Sequence, residues 1–544
     1  MQDLVSSETK CLLVQPRFPA HSFWNYTAVC RIVGAKYPAA PLGLLTVAAL
    51  LPQHWTFKLV DENAEALKDE HFAWADVVMT GGMLPQQKAV QHIVARAHSF
   101  NKPVAVGGPD PTSQPDIYEE ADYRVLGEGE VTIPLFLADV RRGATRGIYT
   151  SGEKAEMARA VVPRFDLVRF SNYMHVGVQF SRGCPYNCEF CDVIELFGRR
   201  PRTKTVEHML TELQALYDLG YRGHVDFVDD NLIGKRKDVV RVLAAMREWQ
   251  EARRYPFYFS TEASFNLAKD EKLLGLMRDN DFRYVFVGIE TPEKHVLDKT
   301  QKQLAADVSI ARAVQTVSSY GMIVNAGFIM GFDNEDERTA GNIINCIQDA
   351  GICMAMVGTL YALPNTQLTR RLKKEGRLLT DGVSQVDGDR DADQTSSGLN
   401  FIPTRPYVDI LADYVKVLEH IYAPKNYYDR VATTGANLRL HAKHRPPLHT
   451  KLRMLWSFLK MSSQVSVTPR VAFLYWKTFF RFLFVSPGSL VATVNLAAMY
   501  IHFSNQSRFT IKGIKKRMAD FATEGAPRGA TAGDGVVRHN YPTE

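Results

Sequence analysis

Between residues 176 and 361 a short β-branched run followed by a helical stretch recurs six times, with strands expected at 176–180, 224–228, 257–261, 284–288, 323–329 and 355–361. Parallel strands joined by helices need both faces covered, and six such units suit an open, three-quarter version of the eight-unit barrel. In that architecture chemistry gathers at the carboxyl ends of the strands. The loop after the first strand reads Cys184-Pro-Tyr-Asn-Cys188-Glu-Phe-Cys191. Three thiolates spaced C-x3-C-x2-C on one tight loop can ligate three corners of a cube-shaped 4Fe–4S cluster, leaving the fourth iron open to a small chelating molecule. Structural zinc normally takes four protein ligands, often paired as C-x2-C, and the chain has no second pair. Cys11, Cys30, Cys346 and Cys353 are scattered through apolar segments and read as core thiols. Seven cysteines in 544 residues are too sparse for a disulfide scaffold, which points to a reducing compartment.

Ahead of the barrel, residues 1–145 alternate β-branched runs with helical stretches: CLLVQP at 11–16, a helix through 43–52, TFKLVDEN at 56–63, DVVMTGG at 76–82 and PVAVGGP at 103–109. This pattern predicts a doubly wound parallel sheet, an α/β unit that binds ligands beyond its strands' carboxyl ends. Glycines fall at those ends, at Gly81, Gly82, Gly107, Gly108 and Gly127-Glu128-Gly129. Together they suit a flat-faced or phosphate-bearing ligand. A charged, turn-rich stretch at 146–172 is expected to link this unit to the barrel, assigned to 173–370.

The charge is unevenly spread. Residues 430–519 hold 15 Lys or Arg and no Asp or Glu, which leaves residues 1–429 with 48 basic against 55 acidic groups. Interleaved apolar residues favour an anionic membrane surface over nucleic acid as the partner of such a block, and no recognition-helix or stacking motif accompanies it. The run Phe482 to Phe503 carries no formal charge over 22 residues, but Pro487 and Gly488 interrupt it, so a buried or interfacial helix is expected rather than a span. A mainly helical accessory domain is assigned to 371–519 and a disordered tail to 520–544. The opening MQDLVSSETK lacks a positive region leading into an apolar core, so no secretory signal is expected and the cytoplasm is the expected location.

The cysteine loop, with Phe190 before its last cysteine, resembles the signature of radical S-adenosylmethionine (SAM) enzymes. The resemblance implies a partial barrel whose cluster cleaves SAM reductively to a radical that abstracts an unactivated hydrogen. It also implies an external electron donor of flavodoxin or ferredoxin type. Strand-end positions implied to hold SAM are Phe190, Asp230, Glu262, Glu290, Gly327 and Pro364. The N-terminal unit is similar to the cobalamin-binding domain of one large branch of these enzymes, which implies cobalamin contacts at Gly81, Gly82, Gly107, Gly108, Gly127 and Glu128. The Asp-x-His-x-x-Gly motif that supplies an axial histidine elsewhere is missing, and His21 and His54 lie outside that pattern, so the cobalt is expected to have no protein histidine.

The stretch Phe197-Gly198-Arg199-Arg200-Pro201-Arg202-Thr203-Lys204-Thr205, together with the C-terminal unit that begins near NFIPTRPYVDIL, resembles the hopanoid C-2 methylases. That family transfers a methyl group through cobalamin to a pentacyclic, membrane-resident lipid, giving 2-methylhopanoids, and it implies peripheral contact at the inner face of an anionic membrane. Arg199, Arg200, Arg202 and Lys204 could contact anionic cofactor groups or form a solvated loop. A saturated ring carbon offers no handle to acid, base or nucleophile, so radical chemistry carried by cofactors suits such a substrate. Two other readings remain open: a cobalamin-dependent radical enzyme acting on another carbon or molecule, and a non-enzymatic cobalamin or redox sensor.

Overall fold

The computed structural model describes residues 5, 8–20, 22, 25–302, 309–379 and 398–524. Seven strands among these precede residue 150: β1 (Lys10–Gln15), β2 (Tyr37–Ala39), β3 (Thr56–Asp61), β4 (Val77–Gly81), β5 (Val104–Gly107), β6 (Tyr123–Val125) and β7 (Gly147–Tyr149). Six form a parallel sheet in the order β3-β1-β4-β5-β6-β7. Because successive side chains point to opposite faces, β1 feeds two cores: Leu12 and Val14 join one hydrophobic cluster, Cys11 and Leu13 the other. The fold class expected from sequence is observed, a doubly wound sheet followed by a partial barrel and a helical C-terminal unit.

The barrel sheet contains β8 (Tyr173–Val178), β11 (Gly223–Phe227), β12 (Phe257–Glu262), β13 (Phe282–Glu290), β14 (Ile323–Met330) and β15 (Ala355–Thr359). Between β8 and β11 lies a small antiparallel pair, β9 (Ser181–Arg182) with β10 (Arg202–Thr203). Two features differ from the sequence reading. The barrel sheet runs β15-β14-β13-β12-β11-β8-β2, so a strand from the N-terminal segment closes its edge, Tyr37 pairing with Tyr173. And β7 falls inside the stretch read as a linker, as the edge strand of the N-terminal sheet.

Five helices complete the described chain: Tyr407–Ile421, Pro424–Asn437, Leu448–Val465, Pro469–Val485 and Leu490–Glu524. Their apolar faces share one continuous core with the barrel, in which Leu411, Tyr414 and Val431 meet Ile343 and Ile347. Pro487 and Gly488 open a single 3₁₀ turn, Pro487–Ser489, and the last helix restarts at Leu490. Among the described residues no helix is long and apolar enough to cross a membrane. The last helix continues through Glu524, into the segment expected to be a tail; residues from 525 onward lie outside the described residues.

Candidate active site

Gly183 opens the cysteine loop with φ of +89°, where a Cβ would stand 3.1 Å from Arg200 O and 3.3 Å from Phe197 O. Only glycine fits, and the loop is held against the 197–200 segment by Cys184 N donating to Gly198 O at 3.3 Å. The thiols of Cys184, Cys188 and Cys191 are partly buried, and burial pushes all three up, Cys188 to about 11. Cys188 and Cys191 are raised further by their neighbouring thiols, which means the three groups lie within electrostatic reach of one another. Among the described residues no three His, Cys, Asp or Glu side chains are drawn together at metal-binding spacing. Lys302 pulls in the opposite direction, favouring the Cys184 and Cys188 thiolates.

The strand ends above the barrel carry a set of carboxyl groups. Asp229 accepts hydrogen bonds from the Phe180 amide at 3.0 Å and from Ser181, yet burial outweighs these and lifts it to about 7. Asp230 lies next to it, raised to about 6 by burial and then by Asp192, with its Oδ2 buried and without a partner. Glu262 reaches about 8 through burial and then through Asp226 and Asp230. Its side chain is open to an internal cavity although protein surrounds it on every side, which is why it is accessible and desolvated together. Glu290 ends β13 with φ of +65° at a bulge, and its carboxylate pairs with Lys302, whose Nζ also donates to Gly288 O at 2.8 Å. Phe190 packs edge-on against Phe332, ring centroids 5.7 Å apart, and a Cβ on Gly327 would come within 3.2 Å of the Phe286 ring.

At the carboxyl ends of β4, β5 and β6 the glycines form a shelf. A Cβ on Gly107 would sit 2.7 Å from Val125 O, one on Gly108 3.2 Å from Gly82 N, and one on Gly82 2.8 Å from Gln86 Oε1. The shelf is therefore bare backbone. It opens into a cavity of about 1970 Å³ lined by Gly81, Gly82, Gly107, Gly108, Gly127 and Glu128, by Asp230 and Glu262, and by side chains of the 448–465 and 490–524 helices. Phe190, Glu290, Gly327 and Pro364 do not line it, nor do the three cysteines, which adjoin it through Asp230.

Sequence reasoning missed Arg182. Its guanidinium donates to Glu128 at 3.0 Å and to Glu130 at 2.8 Å, and Arg202 donates to Glu128 at 2.8 Å, so a nearly buried cluster clamps the glycine shelf to the cysteine loop. Lys204 is buried in an ion pair with Glu212, whereas Arg199 and Arg200 are exposed. His54 bonds Val5 O at 3.0 Å, and none of the described histidines between residues 10 and 149 lines the cavity; His21 lies outside the described residues.

An N-terminal doubly wound sheet, an open parallel barrel and a cysteine loop after the barrel's first strand define a radical SAM enzyme, and the Radical SAM superfamily profile matches residues 178–347. A domain of unknown function, DUF4070, matches residues 366–516. An uncharacterised methyltransferase of Synechocystis sp. is 38% identical over 520 residues, 94% of each chain. The hopanoid C-2 methylase of Rhodopseudomonas palustris is 38% identical over 409 residues, 74% of this chain and 75% of that one. The chain belongs to this family of radical SAM methyltransferases. Its fold is also that of OxsB, a cobalamin-dependent radical enzyme solved with aqua-cobalamin, at a TM-score of 0.58 and 14% identity over 95% of this chain and 81% of that one. The Kitasatospora setae methyltransferase TsrM, solved with cobalamin and a 4Fe–4S cluster, superposes at 0.59 with 14% identity, covering 84% of this chain and all of that one.

Proposed function

We propose that the chain methylates an unactivated carbon of a hopanoid lipid, using a 4Fe–4S cluster, SAM and cobalamin. The observation that carries this reading is the single cavity joining the glycine shelf, the barrel mouth and the apolar C-terminal helices. At about 1970 Å³ it is roughly twice the largest of ordinary small-molecule sites, which run to ~1,000 Å³, so it has room for a large cofactor and an acceptor together.

The residues present fit the three groups. Cys184, Cys188 and Cys191, the three thiols of one loop, would hold a cluster with one open iron, and the other four cysteines lie outside that loop. Asp230 Oδ2, buried and unpartnered next to that loop, and Glu262 are acceptors suited to the amino and hydroxyl groups of SAM. The glycine shelf, which any side chain would obstruct, suits the face of a corrin ring. When bound, these groups supply the electron, the hydrogen abstraction and the methyl group. The chain's own residues orient and enclose: Arg182 fixes the shelf against the loop, and Met454, Phe458, Met461, Val494 and Met499 give the acceptor an apolar wall. A one-electron donor of flavodoxin or ferredoxin type completes the requirement.

Peripheral contact with an anionic bilayer belongs to the same reading. Leu452, Leu455, Trp456 and Leu459 on the 448–465 helix and Phe473, Phe480 and Phe484 on the 469–485 helix are exposed. Lys451, Arg470, Lys477 and Arg481, on the same helices, are exposed too. Comparing lipids from a hopanoid-producing host with and without the chain tests the reading. A product heavier by one methyl at ring carbon 2 is expected, and unchanged lipids with an assembled cluster would reject it.

A further inference from the structure

The barrel lumen below the strand ends is unexpectedly polar. On β11 and β12, Val225, Phe227, Phe257 and Phe259 point outward into the core, so the alternate residues His224, Asp226, Tyr258, Ser260 and Glu262 point inward. His175 on β8 lies beside His224, ring centroids 5.0 Å apart, and His224 stacks on Tyr258 at 4.9 Å. Ser260 Oγ donates to Asp226 Oδ1, which commits the serine proton; the 2.6 Å contact between His224 Nε2 and Ser260 Oγ is then a donation from the imidazole. Every proton in the relay runs toward Asp226. What it leaves facing the cavity is Asp226 Oδ2, an acceptor with no hydrogen bond among the described residues, beside the His175 ring, one nitrogen of which accepts. Asn325 Oδ1, on β14, is buried without a partner in the same wall.

We propose that the His224–Ser260–Asp226 relay, with His175 and Asn325, binds a hydrogen-bond-donating group, a hydroxyl or an amine, on the acceptor molecule. This rests on the acceptor occupying the cavity, as argued above, and adds that the acceptor is amphiphilic. The relay lies on the barrel strands and lines the same cavity as the apolar residues of the 448–465 and 490–524 helices, where the acceptor would lie. A hydrocarbon pressed against Asp226 would strip its carboxylate of water and return nothing, whereas a donor group replaces the lost hydrogen bond. Sites built to bond a donor discriminate strongly against the analogue that lacks it.

The test is equilibrium binding to the cofactor-reconstituted full chain of matched pairs that differ by one polar group. The pairs are a pentacyclic hydrocarbon with its side-chain alcohol and with its side-chain amine, and a smaller tetracyclic hydrocarbon with its terminal alcohol. The unaltered chain is expected to prefer the alcohol or amine by about tenfold, the effect of one hydrogen bond to a carboxyl oxygen that otherwise has no partner. Asp226→Asn should reduce that preference to about threefold or less while hydrocarbon binding stays unchanged. Ser260→Ala serves as a second variant should the first fail to fold, and thermal melting reports on both. A pentacyclic pair bound equally overturns the proposal and leaves the lipid reading standing. A polar-group preference in the tetracyclic pair that is lost in Asp226→Asn, with neither pentacyclic compound bound, supports the proposal and rejects the pentacyclic acceptor. Loss of SAM or cobalamin binding in Asp226→Asn, or no binding of any pair, overturns it.

Discussion

Replacing Leu452, Trp456 and Leu459 by Ser should weaken vesicle binding of the full chain about 100-fold, and the figure follows from exposure. These residues stand four and three apart on one helix, so they share a face. They are 60%, 67% and 53% exposed, so the change removes little internal packing. Burying a whole leucine is worth roughly 2 kcal/mol, and a tryptophan of about 200 Å² roughly 5 kcal/mol at ~25 cal/mol per Å². Scaled by those exposures the three offer about 5–6 kcal/mol on full insertion. Half insertion leaves ~3 kcal/mol, or about two decades in partitioning. The neighbouring cations add ~1 kcal/mol each near an anionic surface, and salt screens that part alone. Co-sedimentation with neutral and phosphatidylglycerol-containing vesicles at low and high salt separates the two contributions. A triple variant that binds like the unaltered chain at high salt would refute the apolar contribution. Equal binding to both vesicle types, or none to either, would mean that the basic face serves the chain's own acidic N-terminal portion.

Anaerobic reconstitution should give one oxygen-sensitive 4Fe–4S cluster, and replacing Cys184, Cys188 and Cys191 together by Ala should abolish it, whereas Cys346→Ala or Cys353→Ala leaves the iron content unchanged; elemental analysis and the visible spectrum decide. With cobalamin bound, the paramagnetic resonance of the Co(II) form should show no nitrogen hyperfine pattern that depends on His54, whose ring is already bonded to Val5 O. Glu335 is lifted to about 8 by burial, above its ordinary value near 4.5, so the folded state prefers the protonated acid. The stability it contributes is complete below about 4.5 and is lost as pH rises through about 8, so Glu335→Gln should raise Tm relative to the unaltered chain at pH 9 and not at pH 4, by about 2–4 °C per kcal/mol. Glu212→Ala, which leaves Lys204 buried and unpaired, should cost about 3–5 kcal/mol in denaturant unfolding, and Lys204→Met with Glu212→Leu should recover most of it.

The elements legible in the sequence were those whose pattern is local. Each barrel strand is a run such as HVDF or FYFSTE between helical stretches, and the cysteine loop is contiguous. The strands that escaped notice are two or three residues long: YPA contains a proline, and YRV, GIY and the pairs Ser181–Arg182 and Arg202–Thr203 are too short to display alternation. The inward row His224, Asp226, Tyr258, Ser260, Glu262 was readable in principle, since period-two alternation of polar with Val and Phe on two adjacent strands signals a polar lumen. Glu290 illustrates the limit: its partner Lys302 lies beyond the following helix, and no pattern in sequence joins them.

Arg182 ties the glycine shelf to the cysteine loop, so the two regions are held as a pair rather than as independent pockets. It stands two residues before the first cysteine, on β9, and its two carboxylate partners, Glu128 and Glu130, lie at the glycine shelf and in the first turn of the helix behind it. Glu128 has 1% of its side chain exposed and is shared with Arg202 of β10, so both strands of the β9–β10 pair grip the same carboxylate. A buried carboxylate with two guanidinium partners is costly to leave half-paired, which ties the shelf and the loop to one geometry. With both groups bound, a radical formed beside the cysteine loop and a methyl group held at the shelf would have to act on one carbon, and an error of about 1 Å in such a placement can cost ~100-fold in rate. On the proposed reading Arg182 would position both regions at once, although it contacts neither the shelf glycines nor the thiols through a hydrogen bond.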